Sequence, residues 1–344
     1  MRALTILLAA AIRPAGAATS YAGHQVLRLT CATAEQAAAA DRLGELVAGL
    51  DYWSEIGRTL PTSVDVRVTA ESASAVRAHA AAAGLTVTTL IADVQDALDV
   101  SATRSAGARF TDAFQTYDTT MRWLSETVVP GYPELASVQS IGTSYEGRDL
   151  AVLKITAPSA AAAPKPVIFV LTLIHAREWL SGATANWIAE ALLEGHGTDA
   201  RITSVLEHYE LQFLLIGNPD GYEYSHTTER FWRKTRKPSG DGCVGTDPNR
   251  NFATPRWGEV GVSSDPCSEI YPGEAPADQP EVAAIQRHVL SLGDRMAVFI
   301  DAHTYSQMLL SPWGCARAEI SEISPRRRYP RRDRLAQVHL RRSR

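Results

Sequence analysis

Two scales of hydrophobic patterning follow one another along the chain, and they meet near residue 110. Upstream the segments are short. VLRLT (26–30) reads as a strand, and AEQAAAADRLGELVAGL (34–50), rich in Ala and Leu and free of Pro, reads as a helix. DYWSEI (51–56) is a candidate strand, and SVDVRVTA (63–70) alternates strictly, with Val at 64, 66 and 68. ESASAVRAHAAAAG (71–84) reads as a helix ending at a Gly cap, and TVTTLIA (86–92) closes the set. The order β-α-β-β-α-β is the split βαβ arrangement of a small ferredoxin-like α+β domain. It holds no cluster of catalytic side chains.

Residues 96–110, DALDVSATRSAGARF, lose the periodicity and read as a linker, with Arg104 and Arg109 open to a trypsin-like protease. Beyond them the pattern lengthens. TDAFQTYDTTMRWLSETVV (111–129) reads as a helix and RDLAVLKIT (148–156) as a strand. PVIFVLTLI (166–174), LQFLLIG (211–217) and RMAVFIDA (295–302) read as strands buried on both faces, with a helix at 181–194 after the first. The fold class predicted is α/β: a mixed central sheet with helices on both faces, preceded by the small α+β domain.

Composition narrows the reading. With 45% hydrophobic and 21% charged residues, the 344-residue chain is not mainly disordered. No apolar run approaches the roughly 18–20 residues that cross a bilayer, and a net charge of −4 gives no pull toward nucleic acid. MRALTILLAAAIRPAGA (1–17) has the short basic start, apolar core and small-residue end of a secretory leader, so the protein is expected outside the cell, as a monomer. Four cysteines are too few for a disulfide scaffold. In a secreted chain Cys243 and Cys267, both in loop-like sequence, are the pair expected, worth about 3.5 kcal/mol by loop closure. Cys31 lies in the upstream domain and Cys315 at a compositional break. Residues 316–344 hold ten Arg and three acids, a local charge of +7 that leaves −11 on the rest.

A His and an acid three residues apart can chelate a metal, but this composition yields about one such pair by chance. The chain has three: His175/Glu178, His196/Asp199 and His226/Glu229. The last two lie in polar, loop-like sequence. His175 directly follows a buried strand, where open α/β sheets form their ligand crevice. His303, at the end of another, offers the third ligand that a catalytic zinc needs besides an open position. On spacing alone, ordinary hydrogen-bonded histidines account for these residues equally well.

HAREW (175–179) resembles the zinc-binding motif of the secreted zinc carboxypeptidases of the pancreatic A/B type. IGTSYEGRDLAVLKI, NPDGYEYS, ERFWRKTR, CVGTDPNRNF, SSDPCSEIYPG and HTYSQMLLSPWG are similar to that family in the same order, covering about 110–314, and the segment opening YAGHQVLRL resembles its activation propeptide. The resemblance implies a zymogen: a signal peptide (1–17), an activation propeptide (18–100), a cleavable linker (101–110), an incomplete catalytic domain (111–315) and a tail (316–344) without family motifs. It implies one Zn2+ on His175, Glu178 and His303, with Arg177 touching substrate and Arg233 stabilising the oxyanion. Asn249 and Arg250 would clamp the terminal carboxylate, and Tyr305 would touch the peptide. The implied partners are peptides with a free C-terminal carboxylate and an activating trypsin-like protease. The chemistry agrees: Arg presents a planar fork that binds a carboxylate in bidentate fashion, and a fixed cation stabilises a tetrahedral oxyanion.

After SPWG the resemblance stops. The family's general-base glutamate and most of its specificity pocket have no counterpart, and neither Glu319 nor Glu322 lies in the strand context of that base. The tail reads as a basic interaction tail, a truncation, or out-of-frame sequence from GC-rich DNA, the last favoured by 30 Arg against four Lys. The expected activity is that of an impaired carboxypeptidase or, alternatively, an inactive zinc- and C-terminus-binding pseudoenzyme.

Overall fold

The computed structural model describes residues 18–47, 49–54, 60–104, 109–159, 163–239, 242–305 and 308–310. The expected leader, Cys315 and the Arg-rich stretch lie outside them. The described residues from 18 to 305 belong to one compact unit.

Its N-terminal layer is a four-stranded antiparallel sheet: β1 (Gln25–Cys31), β2 (Asp51–Tyr52), β3 (Thr62–Val68) and β4 (Thr86–Ile91), in the order β2-β3-β1-β4. Helices α1 (Ala34–Asp41), α2 (Leu43–Leu46) and α3 (Ala73–Ala82) accompany it, as the ferredoxin-like reading requires. The alternating valines 64, 66 and 68 are buried, with Leu27, Leu29, Val76 and Ala80. The helix expected over 34–50 is broken at Arg42. The Tyr52 hydroxyl sits at the break, donating to the Ala40 carbonyl at 2.7 Å and accepting the Gly44 N–H at 3.1 Å.

The expected linker is also corrected. A helix, α4 (Val94–Arg104), runs through its first half. Asp93 caps it by accepting the Gln95 and Asp96 N–H groups, and no Pro or Gly interrupts the run to Arg104.

The second layer opens with α5 (Tyr117–Arg122), a π-helical turn over Trp123–Val128 and the short α6 (Val129–Gly131). Its five-stranded sheet comprises β5 (Ala136–Thr143), β6 (Asp149–Ile155), β7 (Val167–Thr172), β8 (Glu210–Leu214) and β9 (Met296–Ala302), ordered β5-β6-β8-β7-β9. The β7–β8 and β7–β9 pairs are parallel and the others antiparallel. α7 (Trp179–Gly195) and α8 (Ala200–His208) pack on one face through Ala185, Ala189, Leu193 and Leu206. α10 (Pro280–Leu292) packs on the other through Ala284, Ile285 and Leu292, while α9 (Pro219–Thr227) follows β8. Helices thus cover both faces, as expected.

β9 differs from its reading as a fully buried strand. Among the described residues it is the sheet edge, and Val298, Phe299 and Ile300 are 43, 44 and 43% exposed. An apolar run does not distinguish a central strand from an edge one, because the neighbours that would cover it are not encoded in the run itself. Cys243 and Cys267 form the expected disulfide, with Cα atoms 5.1 Å apart, and Cys31 is a buried free thiol.

Candidate metal centre and active site

Parallel register builds the site. Thr172 pairs with Ala302, so the carboxyl ends of β7 and β9 lie side by side. His175 comes three residues past one and His303 one residue past the other. The chain leaves β7 through α7 on one face of the sheet and reaches β9 from α10 on the opposite face, so a crevice opens between the strand ends. Glu178 precedes the first turn of α7, whose positive dipole end favours a carboxylate.

The turn out of β7 is held tightly. Leu173 has a φ of +50°, rare for a branched residue, and its N–H donates to Ser181 Oγ at 3.2 Å. Its buried side chain lies where a Cβ on Gly182 would come within 2.5 Å. The glycine inside α7 therefore makes room for the strained residue that leads into His175.

His175 Nδ1 lies 2.9 Å from Glu178 Oε1 and 3.1 Å from His303 Nδ1, and His303 Nδ1 lies 3.0 Å from Glu178 Oε2. Behind them, His175 Nε2 faces Asp247 Oδ1 at 3.0 Å and His303 Nε2 faces Asp301 Oδ2 at 2.9 Å. A carboxylate only accepts, so each Nε2 carries a proton toward its acid, which leaves Nδ1 of each ring as the atom that faces Glu178 and any bound cation. Two ring nitrogens 3.1 Å apart beside a carboxylate need positive charge between them, which a proton or a metal ion supplies. The donor set of two imidazoles and a carboxylate is one that zinc takes in catalytic sites. These residues fit the ion, and their ligand atoms all lie within 4.8 Å of one another.

The charges around the cluster favour a cation at its centre. Burial would raise the Glu178 carboxyl, but His175 and His303 hold it far below the usual carboxylate range. Burial would likewise lower His303, yet Asp301 and Glu178 hold it well above the ordinary imidazole value. Asp247, fully buried, stays ionised because Arg233 and His175 outweigh its desolvation.

Arg233 donates to Asp247 Oδ2 at 2.9 Å and comes within 3.8 Å of Glu178. Asn249 Nδ2 lies 3.2 Å from His303 Nε2, and Arg250 Nε donates to the Gly261 carbonyl at 2.8 Å. Arg177 and Tyr305 meet the N-terminal layer instead. Arg177 donates to both Asp51 oxygens, at 3.0 and 3.2 Å, and Tyr305 Oη donates to Asp65 Oδ2 at 2.6 Å. Phe231 packs against Tyr21 and Trp53 of the same layer.

The other two His/acid pairs have different roles. Asp199 caps α8 by accepting the Arg201 and Ile202 N–H groups. His226, expected in a loop, lies in α9 and stacks on Trp179 with ring centroids 3.9 Å apart. The Pro219 start and the Asn218 cap, which accepts the Gly221 N–H, carry that helix to Thr227. Sequence reasoning did not single out Asp247 or Asp301. Asp247 could have been found from its place two residues before Asn249; a lone Asp one residue before Ala302 gave no such signal.

A mixed sheet with a two-histidine, one-carboxylate cluster at its strand ends and a largely buried arginine beside it defines the class of metal-dependent hydrolases. The chain belongs to the zinc carboxypeptidase family: a zinc carboxypeptidase model matches residues 121–342, and a carboxypeptidase activation peptide model matches 27–101. Carboxypeptidase A1 of Rattus norvegicus is 38% identical over 306 residues, covering 86% of this chain and 71% of that protein. Carboxypeptidase A2 of the same species is 38% identical over 323 residues, covering 90% and 75%. Among solved structures, thrombin activatable fibrinolysis inhibitor superposes with a TM-score of 0.77 at 28% identity, covering 87% of this chain and 76% of that one. Carboxypeptidase A from Helicoverpa armigera gives 0.73 at 26%, covering 83% and 71%.

Proposed function

We propose that this chain is a secreted carboxypeptidase zymogen that takes one zinc ion on His175, Glu178 and His303 and, once its N-terminal domain is released, cleaves the last peptide bond of its substrates. The observation that carries the reading is the convergence of three ligand residues, with both imidazoles backed by a carboxylate. Bound zinc would supply Lewis acidity toward the scissile carbonyl and acidify water. Arg233, fixed by Asp247, would stabilise negative charge on the carbonyl oxygen. Asn249 and Arg250 would grip the terminal carboxylate, and Arg177 and Tyr305 would bind the peptide once Asp51 and Asp65 have left them. The disulfide suits an oxidising compartment, which supports secretion. Among the described residues no helix is long and apolar enough to cross a membrane.

The test is zinc stoichiometry together with a library of peptides with free C-termini. The parent should bind one zinc per chain, and His175→Ala and His303→Ala should lose it. After limited trypsin treatment, release of single terminal residues supports the enzyme, while binding without release marks the pseudoenzyme. Equal zinc in parent and variants would remove the site.

A further inference from the structure

Each imidazole of the metal cluster is backed by an aspartate, but the two aspartates are placed very differently. Asp247 is fully buried and uses both oxygens. Oδ1 faces His175 Nε2 at 3.0 Å and accepts the Asn249 N–H at 2.9 Å, while Oδ2 accepts from Arg233 at 2.9 Å. It serves a ligand, a turn and an arginine at once. Asp301 serves the ring of His303. Its Oδ2 lies 2.9 Å from His303 Nε2, and its Oδ1 is buried with no hydrogen-bond partner among the described residues. A buried carboxylate oxygen without a donor disfavours folding, so a packing role does not account for an acid here. Strand geometry puts it behind the ring. Asp301 pairs with Leu171 near the end of β9, and the two-residue period brings His303 back to the same side.

A second side chain reaches the same nitrogen. Asn249 Nδ2 lies 3.2 Å from His303 Nε2, and Asp247 fixes the 3₁₀ turn (Pro248–Arg250) that carries it. The Nε2 proton thus has two side chains around it. An ionised carboxylate accepts it more strongly than a neutral amide does. A carboxamide exchanges its donor and acceptor ends by a half-turn about its last torsion. Without Asp301, the Asn249 carbonyl would turn to take the proton, and its amide would be occupied by the metal ligand.

Resting on the zinc carboxypeptidase reading, we infer that Asp301 is a positioning residue for two parts of the site: it fixes His303 with Nδ1 toward the metal, and by taking the Nε2 proton it leaves the Asn249 carboxamide free for the terminal carboxylate of the substrate. The test uses the full, uncut chain and needs no turnover. Zinc affinity is measured by competition with a chromophoric chelator, and the visible spectrum of the Co2+-loaded protein reports the ligand geometry. Asp301→Ala should weaken zinc binding about 10- to 100-fold. Asp301→Asn keeps the side chain's shape and a weaker acceptor, so it should weaken binding by less, and it serves the comparison even where the alanine variant folds poorly. Asn249→Ala should leave zinc affinity unchanged in the parent but lower it further in Asp301→Ala, where the amide has become the ring's partner. Asp301→Ala/Asn249→Asp, which returns a carboxylate to Nε2, should recover most of the affinity and the parent's cobalt spectrum. Parent affinity in both Asp301 variants, strict additivity between positions 301 and 249, or no recovery in the exchanged pair would each overturn the inference while leaving the zinc reading intact. A parent chain that binds no zinc would instead count against the zinc reading itself.

Discussion

His226 illustrates how a single side chain is fixed by its surroundings. Its ring lies on one face of Trp179, and the Arg230 guanidinium stacks on the same indole at 3.6 Å. Desolvation, aided by the Arg230 charge, lowers His226 to about 4. The sign follows from linkage. Above pH 6.5 the imidazole is neutral in both states. As the pH falls toward 4 the unfolded chain binds a proton that the folded one refuses, so stability is lost across that window, by up to about 3 kcal/mol. His226→Phe keeps the stacking and should flatten this part of the curve. Urea midpoints of parent and variant at pH 7, 5.5 and 4.5 would show it, and parallel curves would contradict the assignment. The sequence offered His226 only as half of a chance chelating pair. That it is a desolvated stacking partner depends on Trp179, 47 positions away, which no local pattern can reveal.

At the scale of elements, the strands of high β-propensity were the most legible. The runs at 166–174, 211–217 and 295–302 all form strands, and His175 and His303 fall just beyond strand ends because parallel neighbours finish together. Less legible were features set by partners: the Tyr52 hydroxyl that breaks the first helix, and the edge position of β9. α7 yields a prediction that runs against helix propensity. Gly→Ala inside a helix is ordinarily worth about 1 kcal/mol of stability. At Gly182 the added methyl would meet Leu173 Cδ1 at 2.5 Å, and overpacking of this kind typically costs about 1–3 kcal/mol. Gly182→Ala should therefore fail to stabilise and should lower stability by up to about 2 kcal/mol net, and adding Leu173→Ala should cost less than the sum of the two single changes. Thermal melts of the four proteins of this cycle decide it, and strict additivity would show that the contact is relieved elsewhere.

Across the whole molecule, the two layers meet through charges. Asp51 is shared between Arg177 and Arg67, and all three are largely buried. Removing one partner of such a group leaves uncompensated charge and costs about 3–5 kcal/mol. Asp51→Ala should loosen the N-terminal layer by that order. In the uncut chain it should let a C-terminal peptide reach Arg177, which titration of a fluorescent peptide would register as tighter binding than to the parent. Unchanged peptide affinity would mean that the apolar contacts of Tyr21, Trp53 and Phe231 hold the layers together unaided. The coupling between the layers could not be read from either segment alone, since Arg177 lies 126 residues beyond Asp51.

The strand register that places His303 beside His175 also sets an order in time. The N-terminal layer draws its own core from residues 27–87, so its strands can close as soon as they emerge from the ribosome. His303 follows Val94 by 209 residues, about 10 to 40 s later at ordinary rates of synthesis. Throughout that interval the metal centre lacks one ligand. By the time the third arrives, the domain that engages Arg177 and Tyr305 has already been made, so at no stage of its birth need the chain display a complete centre without its cover.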